Sequence, residues 1–277
     1  MVPVNKIIPM SVVDGPGNRT SIFLQSCNIA CAYCHNPETQ QMCRGCGKCV
    51  GECPVQALEL NMEENVIWHP DICVQCDHCI GTCEFHASPK IRYMSSTQVF
   101  EKVKESIPFI RGITVSGGEC MLYPEFLTEL FGLVKGLGLT CFIDSNGTVD
   151  FESYPELLKL CDKVMLDVKS WQPEVFRQLT GGSNEIVKKN LRLLAKQQKL
   201  EEVRIVCLEH EVDVEQTIDG IAGMVREYLD EFTLKLIRFR RYGVRGRLEE
   251  QASPRDEQME RWKERALERG FGKVRVT

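Results

Sequence analysis

Eleven of the 15 cysteines fall between Cys27 and Cys83, in three runs of different spacing. The first is Cys27-x3-Cys31-x2-Cys34. The second is Cys43-x2-Cys46-x2-Cys49-x3-Cys53, followed by Pro54, and the third is Cys73-x2-Cys76-x2-Cys79-x3-Cys83, followed by Glu84. In a reducing compartment, thiols at such intervals are metal ligands rather than disulfide partners. The first run has only three cysteines. Three thiolates on a cubane iron–sulfur cluster leave one iron without a protein ligand, and an open coordination position marks a site for chemistry. Cys120, Cys141, Cys161 and Cys207 are isolated in apolar contexts and read as small core residues.

The second and third runs carry the bacterial ferredoxin spacing for [4Fe–4S] ligation, in which the fourth cysteine of each run ligates the other cluster. The expected sets are Cys43, Cys46 and Cys49 with Cys83, and Cys73, Cys76 and Cys79 with Cys53. Four-thiolate zinc sites use the same residue type and are the alternative. Glu84 stands where a proline usually follows the last cysteine, which alters the local turn and no ligand.

The elements that must position these residues follow a regular alternation. Residues 20–25 read as a short buried strand ahead of the first run. From residue 95 onward, helices are expected over 96–107, 124–136, 154–160, 184–198, 214–229 and about 254–269. Strands are expected over 112–115, 139–143, 163–168, 202–208 and 232–239, with a last one at 273–276. Ser95 and Gln98 form a candidate capping box. Six strands alternating with helices imply an α/β fold with a parallel sheet, a partial TIM-like (β/α)6 barrel, since eight units are not present. Functional residues then belong at the C-terminal ends of the strands. Residues 40–90 interrupt the alternation and read as an inserted bacterial-ferredoxin-like domain for two [4Fe–4S] clusters. The barrel is assigned to 1–39 and 91–277.

Composition sets the outer bounds. The 277 residues are 43% hydrophobic and 26% charged, which is ordinary globular usage. The net charge of -5 offers no overall basic field for nucleic acid. No apolar run approaches the roughly 20 residues of a membrane span. The first residues lack the charged and apolar regions of a signal peptide, so a cytoplasmic location is expected.

Five segments carry a family resemblance: Val13-Asp-Gly-Pro-Gly17-Asn-Arg19, Cys27-x3-Cys31-x-Tyr33-Cys34-His-Asn-Pro37, Thr114-Val-Ser-Gly-Gly-Glu119, Asp144-Ser-Asn-Gly147 and Met165-Leu-Asp-Val-Lys169. With them, the chain resembles the radical S-adenosylmethionine (SAM) glycyl-radical-enzyme activating proteins, in particular the YjjW-type members with a ferredoxin-like insert. The resemblance implies that the cluster of Cys27, Cys31 and Cys34 binds SAM at its open iron. An electron entering the sulfonium then yields a deoxyadenosyl radical that takes a hydrogen atom from a backbone glycine of a partner glycyl radical enzyme. Cluster and SAM supply that chemistry, and the protein positions and shields them. Flavodoxin or ferredoxin is the implied electron donor, and three [4Fe–4S] clusters are implied in all.

The resemblance also assigns cofactor contacts. Tyr33 and His35 flank Cys34, and Gly117, Gly118 and Glu119 follow a strand where absent side chains let backbone carbonyls approach the SAM amino group. Asp144, Ser145, Met165 and Asp167 are implied to form a monovalent-cation site, with Val168 and Lys169 beside it. Asp144-Ser-Asn-Gly by itself is also a good turn sequence. Asp14 and Arg19 are implied to border the opening for the partner's glycine loop, and Arg204 to make a polar contact in the pocket or a salt bridge.

Two departures from the family pattern stand out. Arg240 replaces a SAM-contacting histidine, and Glu209-His210 replaces a Pro-Gly turn. Arg238, Arg240, Arg241, Arg245 and Arg247 form a cluster that fits either a partner's acidic surface or a solvated loop. Two other readings of the chain remain: a radical SAM enzyme acting on another peptide or small molecule, and a polyferredoxin-like electron carrier.

Overall fold

The computed structural model describes all 277 residues. The chain opens with an antiparallel pair, β1 (Val2–Ser11) and β2 (Arg19–Leu24). Next come α1 (Lys48–Gly51), β3 (Leu58–Leu60), β4 (Val66–Trp68), α2 (His78–Thr82) and β5 (Arg92–Met94). The alternating part then runs α3 (Ser96–Lys104), β6 (Gly112–Gly117), α4 (Pro124–Lys135), β7 (Thr140–Ser145), α5 (Pro155–Leu160), β8 (Lys163–Asp167), α6 (Pro173–Thr180) and α7 (Glu185–Lys196). It closes with β9 (Leu200–Cys207), α8 (Val214–Met224), β10 (Thr233–Arg238), α9 (Asp256–Glu268) and β11 (Val274–Val276).

Nine strands form one sheet in the order β11-β10-β9-β8-β7-β6-β2-β1-β5. From β11 through β2 every pairing is parallel. The sheet has two free edges, so the architecture is an open, mostly parallel α/β fold consistent with an incomplete TIM-like barrel. Strand alternation divides its faces. Ile113, Val115, Cys141, Ile143, Val164, Leu166, Val203 and Ile205 are wholly buried in the main core, which includes the apolar faces of α4, α7 and α8. Each such side chain contributes roughly 1.5–3 kcal/mol by leaving water. The intervening residues Thr114, Ser116, Asp144, Met165, Asp167, Glu202 and Arg204 belong to the opposite face, which is polar. The four isolated cysteines are fully buried.

The capping box at α3 forms: Ser95 Oγ accepts from the Gln98 amide (3.2 Å) and Gln98 Oε1 from the Ser95 amide (2.9 Å). Several expectations need correction. β1 went unforeseen because Pro3 and Pro9 argue against a strand; the strand survives through register shifts between Val4 and Lys6 and between Ile8 and Ser11. α6 also went unforeseen, being a short helix with Pro173 at its start and Phe176 and Leu179 buried. The helix expected over 214–229 stops at Met224, and a separate 3-10 turn spans Arg226–Tyr228. The final helix starts two residues beyond Pro254, at Asp256.

Residues 40–90 hold more regular structure than their sequence suggests. β3 and β4 form their own antiparallel sheet, pairing Leu58 with Trp68 and Leu60 with Val66. Cys49, Leu58 and Cys79 make a small core separate from the main one. No helix of the protein is long and apolar enough to cross a membrane.

Candidate active site

At the C-terminal ends of the parallel strands lies a cavity of about 230 Å³. Its rim carries Cys27, Cys31, Tyr33, Cys34 and His35 from the loop after β2. Its floor carries Ser116 and Gly117 from β6 with Gly118 just beyond it, Asp144 and Ser145 from β7 with Asn146 just beyond it, Asp167 from β8 with Lys169 two residues on, and Arg204 from β9.

The cysteine loop is held from three sides. Ser26 and Cys27 donate their amides to the carbonyls of Thr39 and Gln40 (2.8 and 2.9 Å). Ala30 and Ala32 donate to Thr180 and Leu179 at the end of α6 (2.8 and 2.7 Å). On the third side the end of β6 closes against the loop, with the Gly118 and Glu119 amides donating to Leu24 and Ser26. The glycine pair is required by this approach: Gly117 has φ +122°, and a Cβ on Gly118 would collide with the Ser26 carbonyl.

Charges on the floor are paired. Lys169 Nζ donates to Asp167 Oδ2 (2.6 Å) and stands 5.8 Å above the Tyr33 ring, while the Tyr33 hydroxyl donates to the Lys169 carbonyl (3.4 Å). Burial alone would lower the Lys169 pKa, but the acidic groups around it, Asp167 foremost, together hold the ammonium well above its ordinary value. Arg204 donates to Asp144 Oδ1 (3.0 Å), Glu202 Oε2 (2.8 Å) and Met165 Sδ (2.9 Å). Burial raises the Asp144 pKa while Arg204 opposes it. Burial also pushes the Cys27 thiol to about 11 and Cys31 to about 12.

Glu119 lies beneath the cavity, 1% exposed, rather than on its wall. It accepts from the Met121 amide (2.9 Å), Ser145 Oγ (2.9 Å) and the Asn146 amide (2.7 Å). The side chain thus ties the end of β6 to the end of β7, and burial raises its pKa to about 7.

The structure corrects four other expectations. Asp144, Ser145, Met165 and Asp167 do not present an open cation site: Arg204 engages Asp144 and Met165, Glu119 engages Ser145, and Lys169 engages Asp167. The residues present therefore do not fit a monovalent cation. Val168 is buried in the core and reaches β9 only through its amide, bonded to the Arg204 carbonyl (2.9 Å). Arg240 is exposed and does not line the cavity; its carbonyl, not its guanidinium, meets His35 Nε2 (3.2 Å). Arg19 is 1% exposed at the N-terminal end of β2 and also lies away from the cavity wall. Its guanidinium donates to Thr114 Oγ1 and the Ile113 and Thr140 carbonyls, and stacks on Phe142 at 3.8 Å. Asp14 accepts from the Ser11 and Ser21 hydroxyls.

Sequence reasoning assigned no role to Asn146 or Gln40. Asn146 Nδ2 approaches Cys27 Sγ at 3.6 Å, and Gln40 Nε2 donates to the Cys31 carbonyl (3.4 Å). Asn146 lies within the Asp144–Gly147 motif, whereas Gln40 carries no local signal.

In the 40–90 segment, one hollow is lined by Cys43, Cys46, Cys49 and Cys83, and another by Cys53, Cys73, Cys76 and Cys79. The four-residue groupings are those of crossed ferredoxin ligation.

Residues 21–221 match the family model described as the radical SAM superfamily. The chain is 32% identical over 265 residues to a candidate glycyl-radical enzyme activating enzyme of Haemophilus influenzae, covering 88% of this chain and 84% of that one. It is 30% identical over 242 residues to the indoleacetate decarboxylase activating enzyme of Tractidigestivibacter scatoligenes, covering 78% and 76%. Among solved structures, a domain of the pyruvate-formate lyase-activating enzyme of Bacteroides vulgatus superposes with a TM-score of 0.51 at 20% identity, covering 60% of this chain and 98% of that one. At that identity the likeness concerns the fold alone.

Proposed function

The chain belongs to the radical SAM superfamily, among the activating enzymes of glycyl radical enzymes, and from that premise we propose that it installs a glycyl radical on a partner protein using the cavity built around Cys27, Cys31 and Cys34. One observation carries the reading: three half-buried thiols share a cavity with the Gly117–Gly118 backbone and the Asp167–Lys169 pair, all at strand ends.

The donor set fits the implied cofactors. Cys27, Cys31 and Cys34 would hold a [4Fe–4S] cluster with one iron free, and SAM would occupy the cavity beside it. When bound, these two supply the electron and the radical chemistry. The chain's own residues bind, orient and shield. Gly117 and Gly118 offer close backbone approach to the SAM amino group. Lys169 offers a cation for the SAM carboxylate, held in place by Asp167. Tyr33 closes one wall, and Glu119 keeps the β6 and β7 ends in register from below.

We assign residues 40–90 as a ferredoxin-like insert in a barrel made of 1–39 and 91–277. The grouping of its eight cysteines around two hollows supports two further [4Fe–4S] clusters. A cytoplasmic flavodoxin or ferredoxin is the proposed electron donor.

Anaerobic incubation with SAM, a reductant and the cognate glycyl radical enzyme should give a protein-radical doublet by electron paramagnetic resonance (EPR). SAM cleavage without that doublet would favour action on another peptide or small molecule. Assembled clusters with no SAM cleavage would favour an electron carrier.

A further inference from the structure

The arginines at and beyond the end of β10 do not form one basic surface. Arg238 pairs with Asp256, Arg241 with Glu250 and Arg247 with Glu211. Arg245 is different. It donates to the carbonyls of Ile80 (2.8 Å) and Cys83 (3.0 Å) and lies 3.4 Å from His86 Nδ1. These carbonyls stand at the end of α2, where C=O groups favour a cation; the Ile80 carbonyl also accepts from the Cys83 amide (3.3 Å). Cys83 belongs to the hollow lined by Cys43, Cys46 and Cys49.

The same segment also touches the cavity loop. The Arg240 carbonyl meets His35 Nε2 (3.2 Å), next to Cys34. Gly243, at φ +81°, presses against the His35 carbonyl: a Cβ there would stand 2.6 Å from it. Between the two contacts, Val244 is buried in the main core and anchors the segment. A second tie runs in parallel. The Gln41 amide donates to the His86 carbonyl (3.2 Å), and the Cys27 amide to Gln40 (2.9 Å). Cys43 and Cys83 lie two and three residues from the Gln41–His86 pair. At 3.8 Å per Cα step, each is within about 11 Å of it. Chain reach sets no comparable bound for Cys53, Cys73 or Cys76.

We propose that residues Arg240–Arg245 form a strap between the radical-site loop and the insert, and that Arg245 is a positioning residue for the cluster of Cys43, Cys46, Cys49 and Cys83, raising its reduction potential. The inference rests on the reading that the insert holds two clusters. Net charge and hydrogen bonding around a cluster set its potential. A guanidinium bonded to the carbonyl of one ligand, with no carboxylate partner, stabilises the reduced and more negative form. The strap bonds no ligand of the companion cluster of Cys73, Cys76, Cys79 and Cys53 itself; its nearest contact there is the Ile80 carbonyl, one residue after Cys79.

The test uses anaerobic full-length holoprotein, with iron analysis and EPR-monitored redox titration. Cys46→Ser identifies the signal of the strapped cluster. Arg245→Gln should retain about twelve irons per chain, as three cubanes require, and shift that signal alone to lower potential. Arg245→Lys, which keeps the charge, should restore most of the shift, and Arg247→Gln should change nothing. If Arg245→Gln loses iron, the inference requires that about four irons go and that the Cys46→Ser signal is the one lost. A titration superimposable on wild type, an equal shift of both insert signals, or loss of the other signal would overturn it. Wild-type protein holding only about four irons would instead remove the insert clusters themselves, and this inference with them.

Discussion

Arg204 and Asp144 meet at 3.0 Å across two strands that are not neighbours in the sheet, β9 and β7. The Arg204 guanidinium bridges over β8, where it also touches Met165 Sδ, and ends on Glu202. Both members of the pair are largely buried, with side-chain exposures of 11% and 16%. The polar floor of the cavity is therefore a desolvated ionic network on the face of the sheet that the core does not cover.

Removing the cation should be costly. Arg204→Met leaves Asp144 buried without its cation, while Glu202 keeps Lys235 (3.4 Å), and breaking a buried pair from one side costs about 3–5 kcal/mol. Denaturant unfolding should show that loss, and Arg204→Met/Asp144→Asn should recover part of it. A loss below about 1 kcal/mol, the size of a surface pair, would contradict the burial of this network.

Glu119 imposes a pH dependence of known sign. Its folded pKa of about 7 lies above the ordinary value of 4.5. In that window the folded state keeps a proton that the unfolded chain has released. Stability therefore falls as pH rises from about 4.5 to 7 and levels off above, by on the order of 3 kcal/mol. Glu119→Gln removes the titration while disturbing one acceptor, at Asn146. The stability difference between wild type and Glu119→Gln should shrink over that window, and a difference that grows with pH would refute the assignment.

Gly118 is expected to tolerate no side chain. A methyl there meets the Ser26 and Thr39 carbonyls, both backbone, so the loop carrying Cys27 must move. Gly118→Ala should weaken SAM binding at least about tenfold, or 1.4 kcal/mol, in equilibrium dialysis of the iron-loaded protein. Gly132→Ala, on α4 with open space around it, serves as the control and should bind as wild type does.

Cys31→Ala should separate the two kinds of site. Iron should fall from about twelve to about eight per chain, and SAM cleavage should disappear while the insert's EPR signals persist. Retained cleavage would show that the three-cysteine run is not where SAM binds.

What the sequence determined is the chemistry encoded at short range. Cysteine intervals of two and three residues fix which thiols share a loop, and cluster ligation depends on just such loops. The Ser95–Gln98 cap is equally local, and so are the strand-end segments that place Gly117, Gly118, Asp144 and Asp167 at one mouth. The tertiary structure alone decided the rest, because those contacts join residues far apart in the chain. The end of α6 holds the cysteine loop through Thr180 and Leu179. Asn146 faces Cys27 from another strand. Arg204 takes up the carboxylate and sulfur expected to bind a cation. Of five arginines that read as one basic cluster, four are drawn apart by different partners, and only Arg245 reaches residues 40–90. No periodicity within a window encodes such pairings; they exist once packing has set which distant groups must satisfy one another's charge and hydrogen bonds.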